Sequence, residues 1–161
     1  MKDNITLERI KLIHPKLREE VAEIYDEINE ALSGSAMCRF SHTLRTFAEQ
    51  NVLYAQGRTK PGKIVTNAKG GLSYHNYGMA IDIVLIANGA ASWDSGKDFD
   101  ADGKADWMEV VSIFKQFGWE AGIDWKFRDA PHFQKSLGYS VRQLVAMHQS
   151  GMVDNHGFVK I

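Results

Sequence analysis

Residues 79–87 form an apolar run of strand length interrupted by a single charge, Asp82. A carboxylate carried into a protein interior on such a strand costs roughly several kcal/mol unless it is paired or bound to a cation. Any fold this chain adopts must therefore bring a partner to Asp82. His75 stands on the incoming side, across a turn that contains Gly78. A histidine on that turn and an aspartate on the strand can converge on one cation, with Gly78 and Ala80 keeping the approach open.

Two imidazoles and a carboxylate are a common protein ligand set for zinc, which in catalytic sites keeps a further position for water. His132 is the best candidate for the third ligand. In the run Asp129-Ala130-Pro131-His132 a carboxylate precedes it on a proline-stiffened turn. There Asp129 can lie beside a metal without binding it, take a proton from an attacking water and pass it to a leaving amine. Arg45, at a strand-to-helix junction, can supply the cationic donor that a developing oxyanion needs. The plainer readings stay open on spacing alone. Lone histidines are usually surface or hydrogen-bonded core residues, the reading given to His14, His42, His148 and His156. Asp129 can simply cap a turn, and Arg45 can pair with a surface acid.

The rest of the chain supplies a frame for these residues. Leu17, Val21, Ile24, Ile28 and Leu32 recur at helical spacing between Pro15 and Gly34. Residues 37–44 read as a strand leading to Arg45. Thr46 and Glu49 form a capping box for a helix running to about Gly57, and Ser140 and Gln143 form another for a last helix ending at Gly151. Residues 58–74 read as loop, 88–106 as a polar stretch, 107–117 as a helix stopped by Gly118, 119–128 as irregular or strand-like, and 132–134 as a short strand. The N-terminal residues read as a mixed polar segment. Helices alternating with a few short strands indicate an α+β fold rather than a doubly wound sheet.

Composition narrows the function classes. The 161 residues carry 19 basic and 20 acidic side chains, a formal charge of -1, with no polybasic run, which argues against nucleic-acid and membrane-surface binding. The single cysteine, Cys38, excludes an internal disulfide or a multi-thiolate metal site and reads as a small apolar strand residue. The expected organisation is one domain over residues 1–161, monomeric, synthesised in the cytoplasm without a signal peptide.

The pattern S-x-H-x-x-G-x-A-x-D, met by Ser73, His75, Gly78, Ala80 and Asp82, and the later D-x-x-H, met by Asp129 and His132, resemble the signature of the M15 zinc peptidases. That family includes D-alanyl-D-alanine carboxypeptidases and dipeptidases and L-alanyl-D-glutamate endopeptidases. Residues 44–59, Pro61-Gly62, Val65-Thr66 and Gly70-Gly71 are similar to the endopeptidase branch, so that the resemblance runs from about Ile13 to Gln134. It implies a small antiparallel sheet flanked by helices, as in hedgehog and DD-peptidase folds, and zinc held by His75, Asp82 and His132. It also implies Asp129 as general base and acid, Arg45 on the scissile carbonyl, and Ser73 and Gln50 lining the substrate cleft. His42 and the Ala121-Gly122-Ile123 stretch depart from the family pattern and put the cleft wall in question.

The expected activity is hydrolysis of the L-alanyl-D-glutamate bond in the peptidoglycan stem peptide. The alternatives are a D-alanyl-D-alanine carboxypeptidase or dipeptidase and, in another class, a non-catalytic peptidoglycan- or calcium-binding module. A compact chain of this kind resembles a phage endolysin, acting on the cell wall of a Gram-negative host after release from the cytoplasm.

A second cation site is written into residues 98–109. Asp98, Asp100, Asp102, Asp106 and Glu109 fall at the first, third, fifth, ninth and twelfth places of an EF-hand loop, with Gly103 at the sixth and the Lys104 carbonyl at the seventh. The plainer reading is a solvated acidic loop. No helix is evident before Asp98, and Ala105 is small for its place. The expected ion is calcium, ordering the loop and the following helix and through them raising activity at the zinc site. Outside this loop basic side chains outnumber acidic ones, which suits a carboxylate-bearing stem peptide.

Overall fold

The computed structural model describes residues 2–161. Helix α1 (Asn4–Ile10) occupies the segment that reads as merely polar in sequence. Its start is set by Asp3, whose carboxylate accepts from the Thr6 backbone N–H and takes Arg39 in a two-pronged ion pair at 2.9 and 3.0 Å. Helix α2 (Pro15–Ala31) buries Leu17, Val21, Ile24 and Ile28 and has proline in its first turn, where no backbone donor is lost. It stops before Leu32, which turns extended, so Gly34 serves the turn into the sheet rather than the helix end.

Strand β1 (Ala36–His42) pairs antiparallel with β2 (Ala80–Ala87) along nearly its whole length. Between them lies α3 (Phe47–Ala55), opened by the Thr46–Glu49 capping box. β2 then reverses into β3 (Ala90–Ser92) through Asn88 and Gly89, both with positive φ. That Asn-Gly pair is a strong short-range hairpin signal, and it divides the segment that reads as one polar stretch. After the acidic loop come α4 (Asp106–Gln116), β4 (Glu120–Ala121), β5 (His132–Gln134) and α5 (Val141–Gln149), the last with the Ser140–Gln143 capping box. The sheet order is β1-β2-β5-β4, with β3 also on β2. Among the described residues, five α-helices and a five-stranded antiparallel sheet make an α+β fold, in agreement with the alternation of patterns in the sequence.

The sheet separates packing from chemistry. Side chains alternate faces along a strand, so Ile81, Ile83 and Leu85 of β2 join Phe133 of β5 in the core beneath α2 and α4. Asp82 lies opposite His132 in the ladder and shares the other face with it. Phe114 of α4 stacks on Phe133 at 4.1 Å between ring centroids and meets Trp119 edge-on at 5.5 Å. Phe114→Ala is therefore expected to cost about 3–5 kcal/mol in urea unfolding, the scale for deleting a buried aromatic ring. Cys38 is buried in β1, and no described helix is long and apolar enough to cross a membrane.

Candidate active site

His75 is delivered by one turn of 3-10 helix, Tyr74–Tyr77, whose capping box pairs Ser73 with Asn76. Gly78 ends the turn at φ +68°, and a Cβ there would lie 2.7 Å from the His14 backbone nitrogen. Both the handedness and the close approach require glycine. The chain then enters β2, which presents Asp82, while β5 presents His132 alongside it.

The three side chains meet. Asp82 Oδ1 lies 3.2 Å from His75 Nε2 and 3.2 Å from His132 Nδ1, and one ligand atom from each of the three residues falls within 4.8 Å of the others. The outer nitrogens fix the tautomers, as assigned from the hydrogen-bond network. His75 Nδ1–H donates to the Thr43 carbonyl at 2.7 Å, and His132 Nε2–H donates to Gln134 Oε1 at 2.9 Å. With each ring proton committed outward, two lone pairs and a carboxylate oxygen face one point, and a cation resolves their mutual repulsion. Outer hydrogen bonds of this kind are what orient metal-ligating histidines. Without a cation, protons must do the same work. Burial pushes the Asp82 carboxyl up, but hydrogen bonds from His132 and His75 outweigh it and hold the group well below the usual carboxylate range. Burial lowers the His132 imidazole, and the Asp82 contact more than reverses this.

Arg45 and Asp129 flank the three ligands in a cleft of about 330 Å³. Arg45 Nη2 lies 3.8 Å from Asp82 Oδ2, and its Nη1 donates to Gln50 Oε1 at 3.0 Å. Asp129 is held by its backbone, with its N–H on the Gly122 carbonyl at 2.9 Å. A Cβ on Gly122 would lie 2.3 Å from the Asp129 carbonyl oxygen. Glycine in the Ala121-Gly122-Ile123 stretch is thus a packing requirement that sets where Asp129 stands. Burial pushes the Asp129 carboxyl above its ordinary range, with His132 acting in the opposite sense.

The remaining cleft residues divide. Ser73 lines the cleft, and its hydroxyl also accepts from the His75 backbone N–H. Gln50, expected on the cleft wall, is fully buried behind it. Its amide accepts from Arg45 and donates to Thr66 Oγ1 and the Ala68 carbonyl, so it positions the arginine and the 66–68 loop. His42, read on spacing alone as a surface or core histidine but marked by its departure from the family pattern as bearing on the cleft wall, lines the cleft because the sheet register sets it opposite Asp82. Thr66 and Val65 continue the cleft into a wider groove walled by Leu72, Trp125, Phe127 and Arg128. Phe127 is 87 % exposed there, an exposure that its place in an aromatic-rich run does not reveal.

The acidic loop lies elsewhere, between β3 and α4. Its carboxylates form two overlapping groups, Asp98 with Asp100 and Asp106, and Asp100 with Asp102 and Glu109. Gly103 takes φ +94°, as the sharp turn demands. Asp98 accepts from the Ala101 and Gly103 N–H groups, and Asp100 accepts from Ser33 N–H at the end of α2. Asp106 and Glu109 lie in the first turn of α4.

Comparison with known proteins gives three likenesses. Residues 66–135, which include the three proposed ligands and Asp129, match a peptidase M15 family model described as D-alanyl-D-alanine carboxypeptidase. Over 92 residues the chain is 55 % identical to the peptidoglycan L-alanyl-D-glutamate endopeptidase CwlK of Bacillus subtilis (strain 168), covering 56 % of this chain and 55 % of that protein. The chain thus spans about half the length of that relative. The crystal structure of the L-Ala D-Glu endopeptidase ChiX of Serratia marcescens matches with a TM-score of 0.54 at 23 % identity, over 81 % of this chain and 86 % of that one. This last likeness is one of fold.

Proposed function

We propose that this chain, whose residues 66–135 match a peptidase M15 family model, is a zinc-dependent peptidoglycan hydrolase that cleaves the L-alanyl-D-glutamate bond of the stem peptide at the cell wall. The observation that carries the reading is the convergence of His75 Nε2, Asp82 Oδ1 and His132 Nδ1 beside Asp129 and Arg45 in one cleft. The identity to CwlK supports the choice of bond.

The donor set of two imidazoles and a carboxylate, each histidine oriented by an outward hydrogen bond, fits zinc. When bound there, zinc supplies Lewis acidity toward a carbonyl oxygen and makes water a nucleophile near neutral pH. The chain's own groups do the rest. The Asp129 carboxylate accepts the proton of the attacking water and returns it to the departing amine of D-glutamate. Its backbone tie to Gly122 keeps that carboxylate at the cleft rather than in solvent. Arg45 donates toward the oxygen of the attacked carbonyl as negative charge gathers there. Gln50 holds the guanidinium in place, so little reorganisation is left for the transition state. The groove beside the site, lined by Trp125 and Phe127 as well as Asn67 and Arg128, gives the peptide a surface to lie on.

Digestion of defined muropeptides, followed by mass analysis, tests the reading. Fragments cut between L-alanine and D-glutamate are expected. Release of free D-alanine alone would replace this bond with the carboxypeptidase bond that the family description names, and wall binding without any product would leave a non-catalytic module.

A further inference from the structure

The acidic cluster at the start of α4 takes no part in the chemistry above, yet it contains groups that the fold leaves unsatisfied. Asp106 is wholly buried. Its Oδ1 accepts from the Phe99 N–H at 3.1 Å, but Oδ2 is sealed from solvent with no hydrogen-bond partner among the described residues. Glu109 Oε2, from the same helical turn, is in the same condition. A buried carboxylate oxygen without a partner costs on the order of 1–3 kcal/mol, more when charged. Such an oxygen calls for a proton or a cation. The cationic side chain within reach is Lys104, whose Nζ stays 3.6 Å from Asp102 Oδ2 and from Glu109 Oε1 and is largely exposed. Those distances exceed hydrogen-bond length, so lysine does not satisfy the cluster.

We propose that residues 98–109 bind one calcium ion through the carboxylates of Asp98, Asp100, Asp102, Asp106 and Glu109 together with the Lys104 carbonyl. The donor set is entirely oxygen and strongly anionic, which selects a hard cation and excludes the nitrogen- and sulfur-seeking metals. Five carboxylates on a turn-rich loop suit the larger ion with its six to eight oxygens and tolerant geometry. Magnesium demands a near-ideal octahedron and gives up its waters reluctantly.

The site fixes structure. It ties Asp100, already on Ser33 behind α2, to the first turn of α4. That helix carries Trp107, Val110 and Phe114 into the core, so an ion at its start stabilises the packing beneath β5. This inference is independent of the peptidase reading.

Calorimetric titration of calcium into the protein carrying one equivalent of zinc and no other divalent ion tests it. One saturable site is expected. A hundredfold excess over Kd should raise the melting temperature by roughly 5–10 °C. Asp100→Asn and Glu109→Gln should each weaken binding by about tenfold or more, since affinity in such loops follows ligand charge. Asp100 is only half-buried, so its variant keeps the fold, checked by an unchanged circular dichroism spectrum and zinc content. Absence of saturable heat, equal heats with magnesium, or unchanged affinity in both variants would overturn the assignment.

Discussion

His132→Ala is expected to empty the proposed zinc site and lower kcat/KM by at least about 10⁴-fold, the scale of losing a member of a catalytic unit. The ligand nitrogen comes from a strand only three residues long, His132–Gln134. The strand itself should survive the change. Phe133 remains stacked on Phe114 and β5 keeps its pairing with both β2 and β4. Metal content measured against an unchanged unfolding midpoint separates loss of the ligand from loss of the fold. A variant that retained one zinc and most of its activity would remove His132 from the ligand set.

Asp129→Asn should have the second largest effect, a fall in kcat of about 10²–10⁴-fold, the usual contribution of a positioned general base. Zinc content should stay at one equivalent, because this side chain is not among the three that converge. Asparagine matches the shape of aspartate and can hold the same backbone bond to Gly122, so a change in KM is expected to be small. An equal loss of zinc and of rate would instead place Asp129 among the ligands. Together the two variants distinguish a group that holds the metal from a group that moves the proton.

Much of this site is legible in the residues because its requirements are local. The Thr46 and Ser140 caps, the Gly78 turn and the charge on an apolar strand each announce themselves within a few positions, and each appears in the fold as read. What escapes reading depends on contacts across long sequence separations. The Thr43 carbonyl that orients His75 is backbone, and no residue type marks it. Gln50 differs from a cleft residue only in which way α3 faces, and a short helix of weak amphipathicity does not state that. His42, tied to the cleft wall only through its departure from the family pattern, enters the cleft through a register irregularity between Phe40 and His42, which strand alternation alone does not predict. Helix α1 is anchored by Asp3 to Arg39 of β1, a bond between the chain's first residues and a strand far along it.

The position of Asp82 on the central strand has a consequence for the order of events at the ribosome. Its neighbours come from opposite directions along the chain, β1 synthesised before it and β5 well after it. A nascent chain that has emerged through β2 possesses His75 and Asp82 but lacks His132, and Asp129 is missing as well. On the proposed function, two ligands without a third hold zinc poorly, so the unfinished polypeptide carries no working hydrolase. Competence arrives late and all at once, when the short strand bearing the last ligand closes onto the sheet.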